Sequence, residues 1–153
     1  MPEIKLTQDK TVLVDDYDWE LVSQHKWYPR TNNSGVSYAR TSAKSGNLYM
    51  HRLIMGAKPE QQVDHINGNG LDNRRENLRL CTNQQNQWNM QKSYGLTSKY
   101  KGVYLYKNRW RARITFQGKT ISLGLFSLEE EAAQAYSKAA LKYFGEFAYV
   151  NNV

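Results

Sequence analysis

Three short runs of alternating polarity, "YKGVYLY" (100–106), "RWRARITF" (109–116) and "KTISLGLF" (119–126), lead directly into "SLEEEAAQAYSKAALKYF" (127–144). That succession constrains the fold more than any other feature of the chain. A period of two, broken by "KN" and "QGK" turns, specifies antiparallel hairpins. The alanine-rich run carries a capping residue, Ser127, with Glu130 three residues on as its box partner, and Gly145 to stop it. Ala132, Ala133, Ala135, Tyr136, Ala139, Ala140 and Tyr143 fall on one side of such a helix, a small-residue face able to lie close on a sheet. The expected C-terminal unit, residues 99–153, is therefore a three-stranded antiparallel sheet packed on one helix.

Strand alternation also decides where its charge goes. Trp110, Ala112, Ile114 and Phe116 share the face the helix needs, so Arg109, Arg111, Arg113 and Thr115 point outward together. Lys101, Lys107 and Lys119 join them from neighbouring strands and turns. A charged strand face can simply protect an edge from aggregation, but such faces are normally diluted with acids, and none occurs between Lys99 and Leu128. The chain carries 21 Lys+Arg against 14 Asp+Glu, and residues 98–153 hold 9 of the basic groups but only 4 of the acids. An outward row of arginines on a sheet fits the phosphates and base edges of a DNA major groove.

The N-terminal fifty residues read as β-rich: "TVLVD", "KWYPR" and "VSYART" are strand-like, "NNSG" turns the chain, and "DYDWELVSQH" suits a short helix. A linker is placed at 91–98, where hydrophobic periodicity lapses. One cysteine, Cys81, excludes an intrachain disulfide and a thiolate zinc cluster. No stretch has the roughly 18 to 20 apolar residues of a membrane span, so a cytoplasmic protein with no membrane partner is expected.

Between these regions, "QVDHINGNGLDNRRENLRLCTNQQNQWN" (62–89) holds seven asparagines. Asn, Asp and Gly here can be turn formers bonding their own backbone, and that plain reading stands beside a functional one. In the functional one, Asp64 and His65 end a strand and "NGNG" turns the chain. "NLRLCT" returns as a second strand, and Thr82 with Gln85 caps a helix whose first turn carries Asn86. Asp64 and Asn86 are hard oxygen donors suited to Mg²⁺, and His65 could take a proton from water. A calcium loop starting at Asp64 fails, with Asn69 at position six and Arg75 at position twelve.

The stretch "VDHINGNGLDNRRENLRLCTNQQNQWN" resembles the HNH motif of phage and intron-encoded homing endonucleases, the ββα-metal nucleases. That resemblance implies a nuclease domain over 1–90, its ββα-metal motif at about 50–90. It makes Asp64 the first metal ligand, His65 the general base, Asn77 the asparagine that pins the loop and orients the histidine, and Asn86 the second metal ligand. Asparagine where many members have histidine points to Mg²⁺ or Mn²⁺. "YMHRLIMG" resembles the segment preceding the motif, making His51 and Arg52 secondary candidates for the site or for phosphate contact, with packing as the plain alternative.

The C-terminal segment, through "YKGV", "WRARI", "LGLF" and "EEAAQAY", resembles the DNA-binding domain of plant Apetala-two and ethylene-response factors. By that likeness Lys101, Tyr104, Arg109, Arg111 and Arg113 dock the sheet on DNA, with Tyr104 departing from the arginine common in plant members. The whole is expected to be an α+β, phage or mobile-element endonuclease, monomeric or homodimeric. It would act on double-stranded DNA in a bacterial host, nicking it to leave 5′-phosphate and 3′-hydroxyl ends. The alternatives are a DNA-binding regulator with an inactive HNH module and, more remotely, an RNA-binding module.

Overall fold

The computed structural model describes residues 2–44, 46–90 and 97–153. The chain divides into two compact units, Met1–Gln87 and Trp88–Val153. The expected linker lies almost wholly outside the described residues.

In the first unit β1 (Glu3–Lys5) pairs antiparallel with β2 (Thr11–Leu13), and a 3-10 turn at Asp16–Asp18 leads into α1 (Trp19–Ser23). Strands β3 (Tyr28–Thr31), β4 (Ser37–Ala43) and β5 (Gly46–Tyr49) form an antiparallel meander with β4 in the middle. A short helix, α2 (Met50–Ile54), follows at once and turns "YMHRLIMG" inward. Then β6 (Gln62–His65) and β7 (Leu78–Cys81) pair antiparallel, joined by a loop ending in a 3-10 turn at Arg75–Asn77, and α3 (Asn83–Asn89) closes the motif. The core is Val12, Val14, Val22, Trp27, Ala39, Met50, Ile54, Val63 and Leu78. The Trp27 indole N–H keeps its partner in this apolar setting by donating to the Val22 carbonyl at 2.8 Å.

The long loop between β6 and β7 is anchored on both sides. Its backbone joins the edge of β2, Leu13 N–H donating to Leu71 O at 2.9 Å and Asn73 N–H to Leu13 O at 2.8 Å. Arg75 adds a bidentate bond to the buried carboxylate of Asp18, at 2.8 and 2.7 Å, and a further bond to Ile54 O at 3.0 Å. One guanidinium thus fastens the loop to the turn before α1 and to the end of α2.

In the second unit β8 (Val103–Tyr106), β9 (Arg109–Phe116) and β10 (Lys119–Phe126) form an antiparallel sheet with β9 central, and α4 (Glu129–Phe144) lies against it. Both hairpins turn through residues at positive φ, Lys107 and Asn108 in one, Gln117 and Gly118 in the other, as two-residue loops require. Ala132, Ala133 and Ala140 are fully buried, and Ser137 and Phe144 extend the buried face beyond the alanines. Gly102 sits at φ +74° with the Tyr136 ring where a Cβ would be, so the helix approaches the sheet only because that side chain is missing.

The helix starts one residue later than expected. Leu128 rather than Ser127 stands at the N-cap, its N–H donating to Glu131 Oε2 at 3.4 Å. With three consecutive glutamates, Glu129–Glu131, the carboxylate half of the box shifts register by one position, while Leu128 has no side-chain oxygen to supply the other half. Gly145 ends the helix as expected. The unit begins inside α3 because Trp88 stacks on Phe144, ring centroids 4.6 Å apart and planes 14° from parallel.

Arg75→Ala leaves the Asp18 carboxylate buried without its guanidinium, and should cost about 3 kcal/mol, less than a fully buried pair because the arginine is partly exposed. Arg74→Ala, whose side chain bonds Asp72 and Glu76, should cost less. Urea unfolding of both variants checks the order.

Candidate functional site: a nuclease centre and a basic sheet

Asp64 and His65 are the last residues of β6, paired across the hairpin with Arg79 and Leu78. Both are buried, at 5% exposure each. Alternation sends Val63 into the core and Asp64 to the opposite face, where Arg79 stands directly across and donates to Asp64 Oδ2 at 2.8 and 2.6 Å. His65, at the strand end, sits under the loop and bonds Asn73 Oδ1 through Nε2 at 3.3 Å.

Asn77 uses its side chain to clamp the loop. Its amide donates to Asn67 Oδ1 at 3.0 Å and to Asp72 O at 2.8 Å, while its Oδ1 accepts from Asn67 N–H at 2.9 Å. Its carbonyl also accepts from Ile66 N–H at 2.9 Å. The imidazole Nε2 meets the amide oxygen of Asn73, which accepts from it and whose side chain is completely buried.

Asp72 supports the same loop, accepting from Arg74 at 2.8 and 2.7 Å and from the Asn67 amide at 2.9 Å; the Arg74 bonds hold its carboxyl below the usual range. Asn86 lies half-buried in the first turn of α3, after a capping box in which Thr82 N–H donates to Gln85 Oε1 at 2.8 Å and Gln85 N–H to Thr82 Oγ1 at 3.2 Å.

Around His65 the walls are aromatic. His51 meets it edge to face, centroids 4.9 Å apart, and Tyr38 stands 5.7 Å from both histidines. Burial lowers the His65 pKa against the opposing pull of Asn73, Asp64 and Asp72, so the imidazole is neutral at neutral pH, as a proton acceptor must be. His51 is pushed down to about 3, first by burial and then by His65 and Arg52, and its Nδ1 is buried with no hydrogen-bond partner among the described residues. Arg52 is committed elsewhere, donating to Gln61 O at 2.6 Å and Lys58 O at 2.7 Å, so it braces the connector between α2 and β6.

The donor chemistry fits a hard divalent ion. The expected ligands Asp64 and Asn86 both carry hard oxygens, Asp64 with its Oδ2 bonded by Arg79, and among the described residues no group of three His, Cys, Asp or Glu side chains is placed to hold a metal ion. Mg²⁺ and Mn²⁺ tolerate one or two protein ligands and keep their waters, whereas a structural zinc site needs four.

On the second unit's sheet, Arg111 lies 3.8 Å over the Tyr106 ring and Arg113 4.7 Å over the Tyr104 ring. Arg109 donates to Leu125 O at 3.0 Å, and Lys107 is held over Tyr106 in the turn. The tyrosines keep the guanidiniums flat and outward. Two lysines depart from this face. Lys119 is in register with Phe116, on the helix side. Lys101 points its ammonium at two main-chain oxygens, Trp88 O and Met90 O, both at 2.7 Å, and burial lowers its pKa to about 8. The reason is positional: Lys101 precedes the strand and satisfies the open carbonyls at the end of α3.

Sequence reasoning missed Asn73, Arg79 and Tyr38. Arg79 was recoverable, since the β6–β7 register places it opposite Asp64. Asn73 looked like one more turn former, and Tyr38 arrives from a strand remote in sequence.

Comparison with known proteins bears on both units. Residues 48–88 match the HNH endonuclease family model and residues 98–146 the AP2 domain model. An uncharacterized HNH endonuclease of Acanthamoeba polyphaga mimivirus is 37% identical over 142 residues, covering 88% of this chain and 71% of that protein. Protein 3.8 of Escherichia phage T7 is 36% identical over 88 residues, 56% of this chain and 72% of that protein. APETALA2-like protein 2 of Oryza sativa subsp. indica is 47% identical over 58 residues, 36% of this chain and 13% of the plant protein. No solved structure matches significantly.

Because His51 titrates near 6.5 when unfolded and about 3 when folded, the folded chain binds fewer protons in that window. Stability should be full above pH 6.5 and fall towards pH 3, by up to about 1.4 kcal/mol per pH unit. His51→Phe should flatten the slope by that amount in urea titrations at pH 7, 6 and 5.

Proposed function

The chain belongs to the HNH endonuclease family and carries an AP2 domain behind its HNH segment, and from that premise we propose that it hydrolyses phosphodiester bonds of double-stranded DNA using Mg²⁺ or Mn²⁺. The observation that carries this reading is the buried His65, neutral and held by Asn73, next to Asp64 at one strand end. A neutral imidazole so placed is suited to proton abstraction.

In the proposed reaction His65 takes the proton of a water that attacks phosphorus in line. The bond to the 3′ oxygen breaks, leaving a 3′-hydroxyl and a 5′-phosphate, and the leaving oxygen gains a proton from solvent. Asp64 and Asn86 would hold the divalent ion, which when bound offsets charge on the phosphate and leaving oxygen. Arg79 fixes the Asp64 carboxylate from across the hairpin. Asn73 sets the imidazole plane, and Asn77 keeps the loop closed over it. One centre per chain makes a nick the product of a monomer; a double-strand break requires a second chain or a second event.

The arginine face of the AP2 domain addresses the enzyme to DNA, with Arg109, Arg111 and Arg113 as its principal contacts and Tyr104 as their support. Lys107 adds charge at the tip. Lys101 serves this surface indirectly, by holding the start of the unit.

Supercoiled plasmid should be converted to the nicked circle with Mg²⁺ and not with EDTA, and His65→Ala should slow this by about 10² to 10⁴-fold. Absence of metal-dependent nicking by the wild type would leave a DNA-binding protein without chemistry.

Arg111→Ala with Arg113→Ala should weaken duplex binding at all sequences where phosphates are contacted and reduce the salt slope by about 2. Filter binding across a salt series reads both.

A further inference from the structure

Strands β3 and β4 lie outside both family-matched segments. Their register is informative. Tyr28 opposes Arg40, Arg30 opposes Tyr38, and Arg40 opposes Tyr49 on β5. Directly opposed residues of an antiparallel sheet project to the same side. Tyr28, Arg30, Tyr38, Arg40 and Tyr49 therefore share one face, on which rings and guanidiniums alternate both along and across the strands. The opposite face, with Ser37, Ala39 and Thr41, is buried.

The charge of this region is one-sided. From Leu21 to Pro59 the chain has no Asp or Glu, yet it carries Lys26, Arg30, Arg40, Lys44, Arg52 and Lys58. The acids of the first unit gather before and after that stretch, which is why its overall balance hides the patch. Arg52 is spent on main-chain oxygens, but among the described residues neither Arg30 nor Arg40 has a carboxylate partner. Lys26 extends the pattern by standing over the Tyr28 ring. A strand face charged only for solubility would intersperse both signs.

The face also ends at the nuclease centre. Tyr38 lies 5.7 Å from the His65 ring, and Tyr49 lies 5.6 Å from His51, which touches His65. The tyrosines thus join the arginine-bearing face to the residues around His65.

We propose that the outer face of β3, β4 and β5 is a second DNA-contact surface, which grips the backbone flanking the scissile phosphate. Arg30 and Arg40 bind phosphates, and Tyr28 and Tyr49 lie against sugars. The surface reads no sequence; it holds the strand in register with His65. The inference rests on His65 as the reacting centre.

The test uses the full chain with Arg30→Ala and Arg40→Ala together, which removes no buried partner. In a His65→Ala background, binding to a random-sequence duplex across a salt series should lose about 2 from the slope of log K against log[salt], and Arg30→Lys with Arg40→Lys should restore most of it. In the active chain the alanine pair should raise KM for plasmid about tenfold, more than it lowers kcat.

An unchanged salt slope overturns the proposal whatever the nicking assay shows, as does tighter binding of single-stranded RNA than of duplex through these arginines. A slope lost in the arginine pair, with a wild type that never nicks, upholds the phosphate-binding surface and removes the nuclease reading.

Discussion

The first unit depends on closing a twelve-residue connection between β6 and β7 that contains no apolar anchor of its own beyond Leu71. Polar contacts do the closing. Asn77 satisfies loop groups with its amide, its amide oxygen and its carbonyl, and Arg75 ties the loop's end to Asp18 and Ile54. Each bond in such a network counts, because its members are removed from water; among the described residues the buried Asn73 Nδ2 is an exception, without a partner. Bonding of this kind explains why a stretch this rich in asparagine is ordered: short amides bond local backbone without the entropy cost of longer side chains.

Closure has a chemical consequence. With the loop in place His65 is buried beside His51 and Tyr38, and desolvation outweighs the nearby carboxylates. The same burial that costs stability in acid keeps the imidazole in its proton-accepting form at neutral pH. Structure and chemistry therefore draw on one feature, the exclusion of water from the strand end.

The second unit solves a different problem. Its sheet must offer cations outward while packing closely on a helix behind. Small residues on α4 and a glycine beneath Tyr136 allow the close approach, and tyrosines on β8 hold the arginines of β9 upright. Lys101 shows that positive charge alone does not define such a face: its ammonium is turned to main-chain oxygens.

Much of this was legible from residue order. Alternation in "RWRARITF" decides which side of the sheet carries arginine, because strand period admits no other arrangement once the helix claims the apolar side. The spacing of Asp64, His65, Asn77 and Asn86, with Thr82 and Gln85 as cap, likewise marked a hairpin followed by a helix. Local order could not say which asparagine reaches His65, since Asn73 and Asn77 differ only in how the folded loop turns them. Nor could it join Tyr38 to the histidines, oppose Arg79 to Asp64, or align Arg30 and Arg40 on one face. Those pairings are set by strand register and by burial, which arise between segments far apart in the chain. The sequence by itself determined the types of elements and the donors available, through periodicity and side-chain chemistry; the tertiary structure alone decided which donors meet, because meeting depends on long-range packing.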